Sequence, residues 1–192
     1  MFIENKNISE DNMQWNDFLS GDEEAYCSIY KKYSKKLFIQ GLQFTSDREL
    51  IRDCIHDVFV KIYKNRTNLK PLNNIRIYLF VALRNSIITT IKKRRIQFET
   101  LDGLPEHSQI SDNSNIEDDL INKENETDKN TLVAKALHTL TIRQREVIYY
   151  RFYENMDIDE ICLLMDMNYQ SVLNLIQRSL KKLKDYGTCS AS

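Results

Sequence analysis

The chain has 192 residues, enough for one domain or two small ones, and its scarce Gly and Pro with 42% hydrophobic residues favour an all-helical fold. No apolar run approaches the roughly 18 residues of a membrane span, and the polar, acidic first residues are unlike a signal peptide. The four cysteines lie far apart without a CxxC pair, which argues against a zinc site or disulfide framework and indicates a reducing cytoplasm.

The net charge of −1 hides a strong segregation of charge along the chain. Residues 23–95 carry sixteen Lys and Arg against six acids, a net +10, whereas residues 96–130 carry two Lys against ten acids, a net −8. A basic domain of this kind indicates a polyanionic partner, most simply DNA. The predicted organisation is an acidic segment at 1–22, a basic helical domain at 23–95, a flexible acidic linker at 96–130, a helical domain at 131–186 and a tail at 187–192.

Three amphipathic helices are predicted in the basic domain. The first covers about Tyr26–Phe38, and the second opens with a capping box formed by Ser46 and Glu49. The third runs over Ile75–Arg95 and ends in a basic run, where cations suit a helix C-terminus. The predicted inner face of the second helix is Leu50, Ile51, Cys54, Ile55, Val58, Phe59 and Ile62. Residues 65–74 have the composition of a turn.

The last third of the chain predicts a helix-turn-helix. Thr141 with Gln144 fits a capping box, Asp157 can cap the following helix and Asn168 the last one. In the last helix a buried stripe is predicted at Val172, Ile176, Leu180 and Leu183. A short helix, a tight turn and a longer helix with a polar face is the arrangement that places side chains in a DNA major groove.

Three stretches resemble sigma factors of RNA polymerase, of the extracytoplasmic-function group within the sigma-70 family. Residues 51–63 are similar to the region 2.2 helix, residues 77–88 to the helix that melts and reads the −10 element, and residues 140–162 to region 4. Their order, with an acidic segment between, carries the resemblance. Departures from the family pattern include His56 for Gln, Thr141 for Pro, and Leu173 and Leu175 where basic residues are common.

The resemblance implies two surfaces in the basic domain. A face that docks on the polymerase clamp would comprise Asp53, His56, Asp57 and Lys61. Residues that capture and read unpaired −10 bases, or hold their phosphates, would be Arg66, Asn68, Asn73, Tyr78, Arg84, Asn85, Lys92, Lys93, Arg94 and Arg95. Stacking and amide hydrogen bonds suit such capture. Read alone, the first set is an ordinary solvated stripe, Tyr78 is a core residue and the Lys92–Arg95 run is a solvated helix end.

The resemblance also implies a −35 surface on the last helix. Its candidates are Tyr169, Gln170, Ser171, Leu173, Asn174, Gln177, Arg178, Lys181 and Lys182. Leu173 lies about 100° from Val172 round the helix, so it is expected to be exposed and able to contact thymine methyls. The alternative is that Leu173 packs on the preceding helix, and Leu175 is ambiguous.

The predicted function is therefore a cytoplasmic, non-enzymatic initiation factor without cofactor or metal. Its partners would be core RNA polymerase and promoter DNA, and an anti-sigma factor is a further candidate. The linker is either a spacer or a segment threaded toward the RNA exit path. One rival is a helix-turn-helix regulator that acts without polymerase. The other is a nucleic-acid enzyme, which would need clustered carboxylates or a Cys/His metal set.

Overall fold

The computed structural model describes residues 2–102 and 135–189, and within these residues every regular element is helical. The all-helical prediction is confirmed. Helices α1–α4 form one compact unit and α5–α7 belong to a second. The helices include α1 (Phe2–Ser20), α2 (Glu23–Gly41), α3 (Arg48–Lys64), α4 (Ile75–Asp102), α5 (Ile142–Ile148), α6 (Ile158–Met165) and α7 (Tyr169–Cys189). A 3-10 turn covers Arg66–Asn68, and a π-helical segment, Tyr149–Tyr153, follows α5.

Helix α1 is part of the first unit, although the sequence interpretation began that domain at residue 23. Trp15 and Phe18, three positions apart, are fully buried, and Phe18 packs on Tyr26 of α2 with ring centroids 5.3 Å apart. Gly21, with φ +113°, ends α1 by donating to the Phe18 carbonyl, and Asp22 then caps α2. The left-handed conformation at Gly21 allows two helices to meet in so short a turn.

Helix α3 buries all seven residues predicted for its inner face. Its cap, however, is Asp47, whose side chain accepts from the Leu50 N–H at 2.9 Å, so the predicted Ser46–Glu49 capping box is wrong by one residue. A carboxylate at a helix N-terminus also meets the positive end of the helix dipole, which favours Asp47 over the neighbouring serine.

Helix α4 is longer than predicted and continues to Asp102, seven residues beyond Arg95. Lys92–Arg95 therefore lies inside the helix, and its explanation by the charge of a helix C-terminus is wrong. The core face of α4 includes Ile75, Leu79, Leu83 and Ile87, spaced by four. The rest of the predicted linker, 103–130, lies outside the described residues.

In the second unit the three predicted caps are confirmed. Thr141 and Gln144 form a capping box on α5, and Asp157 forms another with Glu160 on α6. The Asn168 side chain accepts from the Ser171 N–H at 2.8 Å at the start of α7. The turn between α6 and α7 is made by Asp166 in the left-handed conformation, with φ +53°.

The buried stripe of α7 differs from the prediction at one position. Ser179 is fully buried and donates to the Leu175 carbonyl, whereas Leu180 is 42% exposed. The stripe therefore runs through Val172, Ile176 and Ser179 to the half-buried Leu183. At about 100° per residue Leu180 lies some 80° from Val172, on the rim, while Ser179 lies only about 20° away. The Ser179 hydroxyl can be buried at little cost because its hydrogen bond is made within the helix, to the Leu175 carbonyl.

Candidate nucleic-acid interface

A cleft of about 390 Å³ opens in the first unit between α3, the 65–74 loop and α4. Its wall on α4 includes Tyr78, Asn85 and Lys93, three of the residues predicted to meet −10 DNA. Asn65 and Leu69 line it from the loop side. The cleft thus places an aromatic ring, an amide and a cation round one open space, on one side of α4.

Tyr78 serves both the core and the cleft. It is half-buried, its ring centroid lies 5.7 Å from that of Trp15, and it also lines the cleft. Burial raises the pKa of the Tyr78 phenol above its ordinary value of 10.0, so the hydroxyl is neutral at physiological pH. A neutral phenol can donate or accept a hydrogen bond while its ring face provides a stacking surface.

The 65–74 loop is held by its backbone while several of its side chains point outward. The Lys70 carbonyl accepts from the Trp15 indole N–H at 3.1 Å, and the Asn73 carbonyl accepts from the Asn12 amide at 2.9 Å. Asn68 and Asn73 are exposed and Arg66 is half-buried. Asn12 and Trp15 are not among the residues predicted from the sequence, because the predicted domain begins at residue 23 and excludes α1.

The cations of α4 have different surroundings. Lys92 and Lys93 are exposed, and Lys93 lines the cleft. Arg94 is also exposed, but its guanidinium lies 2.8 Å from the Asp47 carboxylate. Arg95 and Arg84 are half-buried and each makes polar or electrostatic interactions within the protein. The basic run therefore offers two lysines to a phosphate more directly than its two arginines.

The predicted polymerase face of α3 is exposed at all four positions, Asp53, His56, Asp57 and Lys61. They span an arc of about 140° round the helix. Asp57 and Lys61 border the cleft, whereas Asp53 and His56 are not among its lining residues. The set thus comprises a pair that lines the candidate DNA cleft and a pair that does not.

On α7 the outward ridge consists of polar side chains opposite the buried stripe. Gln170, Asn174, Gln177 and Lys181 follow a spacing of four and three, and the Gln170 amide donates to the Asn174 side chain at 3.2 Å. Tyr169, Arg178 and Lys182 are exposed, and Ser171 and Asn174 are half-buried. The expectation that Leu173 is exposed is wrong in degree: Leu173 is half-buried, because it flanks the stripe rather than opposing it.

Leu163 on α6 is an apolar residue that the sequence interpretation did not single out. It is 71% exposed and stands beside the turn that joins α6 to α7. Its position follows from the period of α6, since Ile161, Leu164 and Met165 take the buried side. Within the apolar run 161–165, the sequence does not show which of the adjacent leucines, Leu163 or Leu164, is exposed.

Neither a metal site nor a membrane span is found in the described ranges. Among residues 2–102 and 135–189, no group of three or more His, Cys, Asp or Glu is placed to hold a metal ion. No helix in the same ranges is long and apolar enough to cross a membrane.

The second unit has the sequence pattern of a known protein family. Residues 131–183 match the family model for Sigma-70, region 4. The carboxy-terminal domain is similar to sigma-70 region 4 over these residues. The resemblance to the sigma-70 family is thereby confirmed, and α6 and α7 are the two helices of its helix-turn-helix. A search among curated proteins found no significant match.

Two solved structures are similar in fold over most of this chain. CnrH, in complex with the cytosolic domain of CnrY, aligns with a TM-score of 0.64 and 18% identity over 93% of this chain and 97% of that one. The sigma factor RpoE from Bartonella quintana, in complex with the anti-sigma factor NepR, aligns with a TM-score of 0.63 and 17% identity over 85% and 96%. At these identities the likeness establishes the fold that accompanies region 4.

Proposed function

We propose that this protein is a sigma factor of the extracytoplasmic-function type, which binds core RNA polymerase and directs initiation at promoters with −35 and −10 elements. The observation that carries the proposal is the union, on one chain, of a sigma-70 region 4 with a basic helical unit that has an open polar cleft. A regulator that acts by duplex binding alone needs only the first of these two parts.

The cleft suits the capture of unpaired bases. Unstacking a base costs a few kcal/mol, and stacking on an aromatic side chain returns roughly 1–3 kcal/mol per base. Capture of a few bases can therefore offset local melting of the duplex. Tyr78 would supply the stacking surface, Asn85 the hydrogen bonds to a base edge, and Lys93 the charge next to a phosphate.

The −35 element would be read by α7. The polar amides of its ridge can reach base edges in the major groove, while Arg178, Lys181 and Lys182 are exposed and can contact phosphates. Leu173, half-buried at the edge of the stripe, would meet a thymine methyl only with its exposed side.

Two protein partners belong to the proposal. Core polymerase would dock on the α3 surface formed by Asp53, His56, Asp57 and Lys61, of which Asp57 and Lys61 also border the cleft. An anti-sigma factor is the second, because RpoE is described in complex with one. The chain would be non-catalytic and would act in the cytoplasm, where the polymerase is.

The test is reconstituted transcription. The purified chain is added to core polymerase and a library of promoter fragments, and transcript starts are mapped. We expect specific starts that require both proteins. Lys93→Ala should reduce open-complex formation, whereas Lys35→Ala, which removes an exposed cation from α2, should not. Duplex binding without any core-dependent transcript would instead favour the regulator.

A further inference from the structure

Helix α1 is anchored firmly on α2 by polar as well as apolar contacts. The buried Asp11 carboxylate accepts from the Tyr33 hydroxyl at 2.5 Å and pairs with Lys32. One helical turn further on, Trp15 is 1% exposed, and Phe18 is fully buried. A helix fixed at these positions has little freedom to rotate or slide, so groups that it projects are fixed as well.

From this anchored helix, two side chains reach the 65–74 loop. Trp15 donates to the Lys70 carbonyl, Asn12 donates to the Asn73 carbonyl, and the Trp15 ring also lies against Tyr78 at the start of α4. Both hydrogen bonds end on main-chain oxygens. They therefore constrain the path of the loop backbone without using the loop side chains.

We propose that Asn12 and Trp15 are positioning residues for −10 recognition, and we call them the α1 brace. The brace fixes the loop backbone and Tyr78 before DNA arrives, so that the exposed Asn68 and Asn73 and the cleft are presented in one geometry. This inference rests on the proposed function, since it concerns how the same cleft discriminates between bases.

The physical benefit is preorganisation. A loop that is ordered before binding loses less conformational entropy when it binds, and it discriminates better because a mismatched base cannot be accommodated by a shift of the backbone. Because the hydrogen bonds from the brace to the loop end only on backbone oxygens, the loop side chains can differ without disturbing these bonds. Base preference would then be set by the loop sequence, and the sharpness of that preference by α1.

The experiment compares three variants of the full chain in the holoenzyme. Trp15→Phe keeps a buried aromatic ring but removes the indole donor, and Asn12→Ala removes the second donor at a half-buried position. Met13→Ala is the matched control, because Met13 is 61% exposed on the same helix. Two quantities are measured: amide hydrogen exchange across residues 65–74, and the ratio of affinities for the cognate and a base-substituted −10 single strand.

We expect exchange in the loop to quicken roughly two- to tenfold for each hydrogen bond removed. The affinity ratio should fall by a similar factor, while binding to core polymerase and to −35 duplex stays unchanged. Met13→Ala should match wild type in both. If Trp15→Phe proves poorly folded, Asn12→Ala still decides the matter, since Asn12 is only half-buried and lies outside the apolar core.

The possible outcomes distinguish failure of the α1 brace from failure of the proposed sigma-factor function. Unchanged loop exchange in both variants overturns the brace. Faster exchange with an unchanged affinity ratio overturns its role in recognition. If the wild-type holoenzyme shows no preference among −10 strands, the proposed function fails and the positioning role with it, whatever the exchange data show about the loop.

Discussion

Asp47 joins two elements of the first unit through one carboxylate. It accepts from the Leu50 N–H and from Arg94, and these contacts, led by the Leu50 hydrogen bond, hold its pKa below the ordinary 3.8. A carboxyl whose folded pKa is depressed stabilises the fold fully above its unfolded pKa. That contribution is lost as the pH falls through the folded value.

The Asp47 cap is therefore expected to make the first unit acid-sensitive. Asp47→Ala should cost about 1 kcal/mol at neutral pH, because α3 loses its N-cap. Asp47→Asn should keep most of the cap but lack the dependence on pH below about 4. Urea unfolding followed by fluorescence of Trp15, the only tryptophan, reports on this unit. Ser46→Ala is the control, and an equal loss there would contradict the assignment of the cap.

The contributions of the Tyr78 ring and of its hydroxyl to DNA binding can be measured separately. Tyr78→Phe should retain binding to single-stranded −10 DNA because the stacking surface remains. Tyr78→Ala should lose roughly 1–3 kcal/mol of that binding, the value of one stacked base. Affinity is measured with the holoenzyme and a labelled oligonucleotide, after Trp15 fluorescence has shown that the variant folds. If the Phe and Ala variants bind single-stranded −10 DNA equally well, the Tyr78 ring does not stack on a base.

At the level of elements, two neighbouring carboxylates of α3 should have different effects, because only Asp57 lines the cleft. Asp53→Lys is expected to weaken binding to core polymerase without altering −10 base preference, because Asp53 is not among the lining residues of the cleft. Asp57→Lys should affect both, since Asp57 borders the cleft. Asp17→Lys, an exposed reversal of charge on α1, is the control. Normal core binding by the Asp53 variant would show that the polymerase docks elsewhere.

The turn between α6 and α7 carries a conformational cost. Asp166 has φ +53°, where residues with a Cβ are disfavoured, so Asp166→Gly should raise the stability of region 4 by up to about 1 kcal/mol. Gln177→Gly, within α7, should lower it by about 1 kcal/mol. Calorimetry can follow the unfolding of this second unit, on which the fluorescence of Trp15, in the first unit, does not report. A destabilised Asp166→Gly variant would mean that the carboxylate makes a contact worth more than the strain.

What could be predicted from the sequence depended on how local each interaction is. The caps at Thr141, Asp157 and Asn168 use partners three residues away, so the sequence carries their signal. The hydrogen bond from Trp15 spans 55 positions and has no such signal. The length of α4 is underestimated because residues 96–102 open a stretch, 96–130, that is acidic and lacks helical periodicity as a whole.

Across the whole molecule, the cations are concentrated in the part proposed to meet melted DNA. Residues 23–95 carry a net +10, whereas residues 131–192 carry eight Lys and Arg against seven acids. Within region 4, the exposed cations of α7 include Arg178, Lys181 and Lys182. Electrostatic attraction should therefore come from the first unit, while region 4 contributes recognition with little net charge of its own.

This imbalance predicts weak −35 binding that gains strength only through linkage to the rest of the complex. With about three phosphate contacts, the salt dependence of specific −35 duplex binding should have a slope near −0.9 per contact, or roughly −3. Simultaneous engagement of the −10 strand and polymerase should raise the affinity for a full promoter by about 10²- to 10⁴-fold through effective concentration alone.

The affinity of the free chain for cognate and scrambled −35 duplexes is measured at several salt concentrations. The affinity of the holoenzyme for the full promoter is measured in the same way. Lys181→Ala should reduce the −35 slope by about 1 without changing which bases are preferred, as expected for a phosphate contact. Gln177→Ala, on the same ridge, should change base preference and leave the slope unaltered. A free chain that binds the −35 duplex as tightly as the holoenzyme binds the promoter would contradict this dependence on avidity, because region 4 would then supply enough affinity by itself.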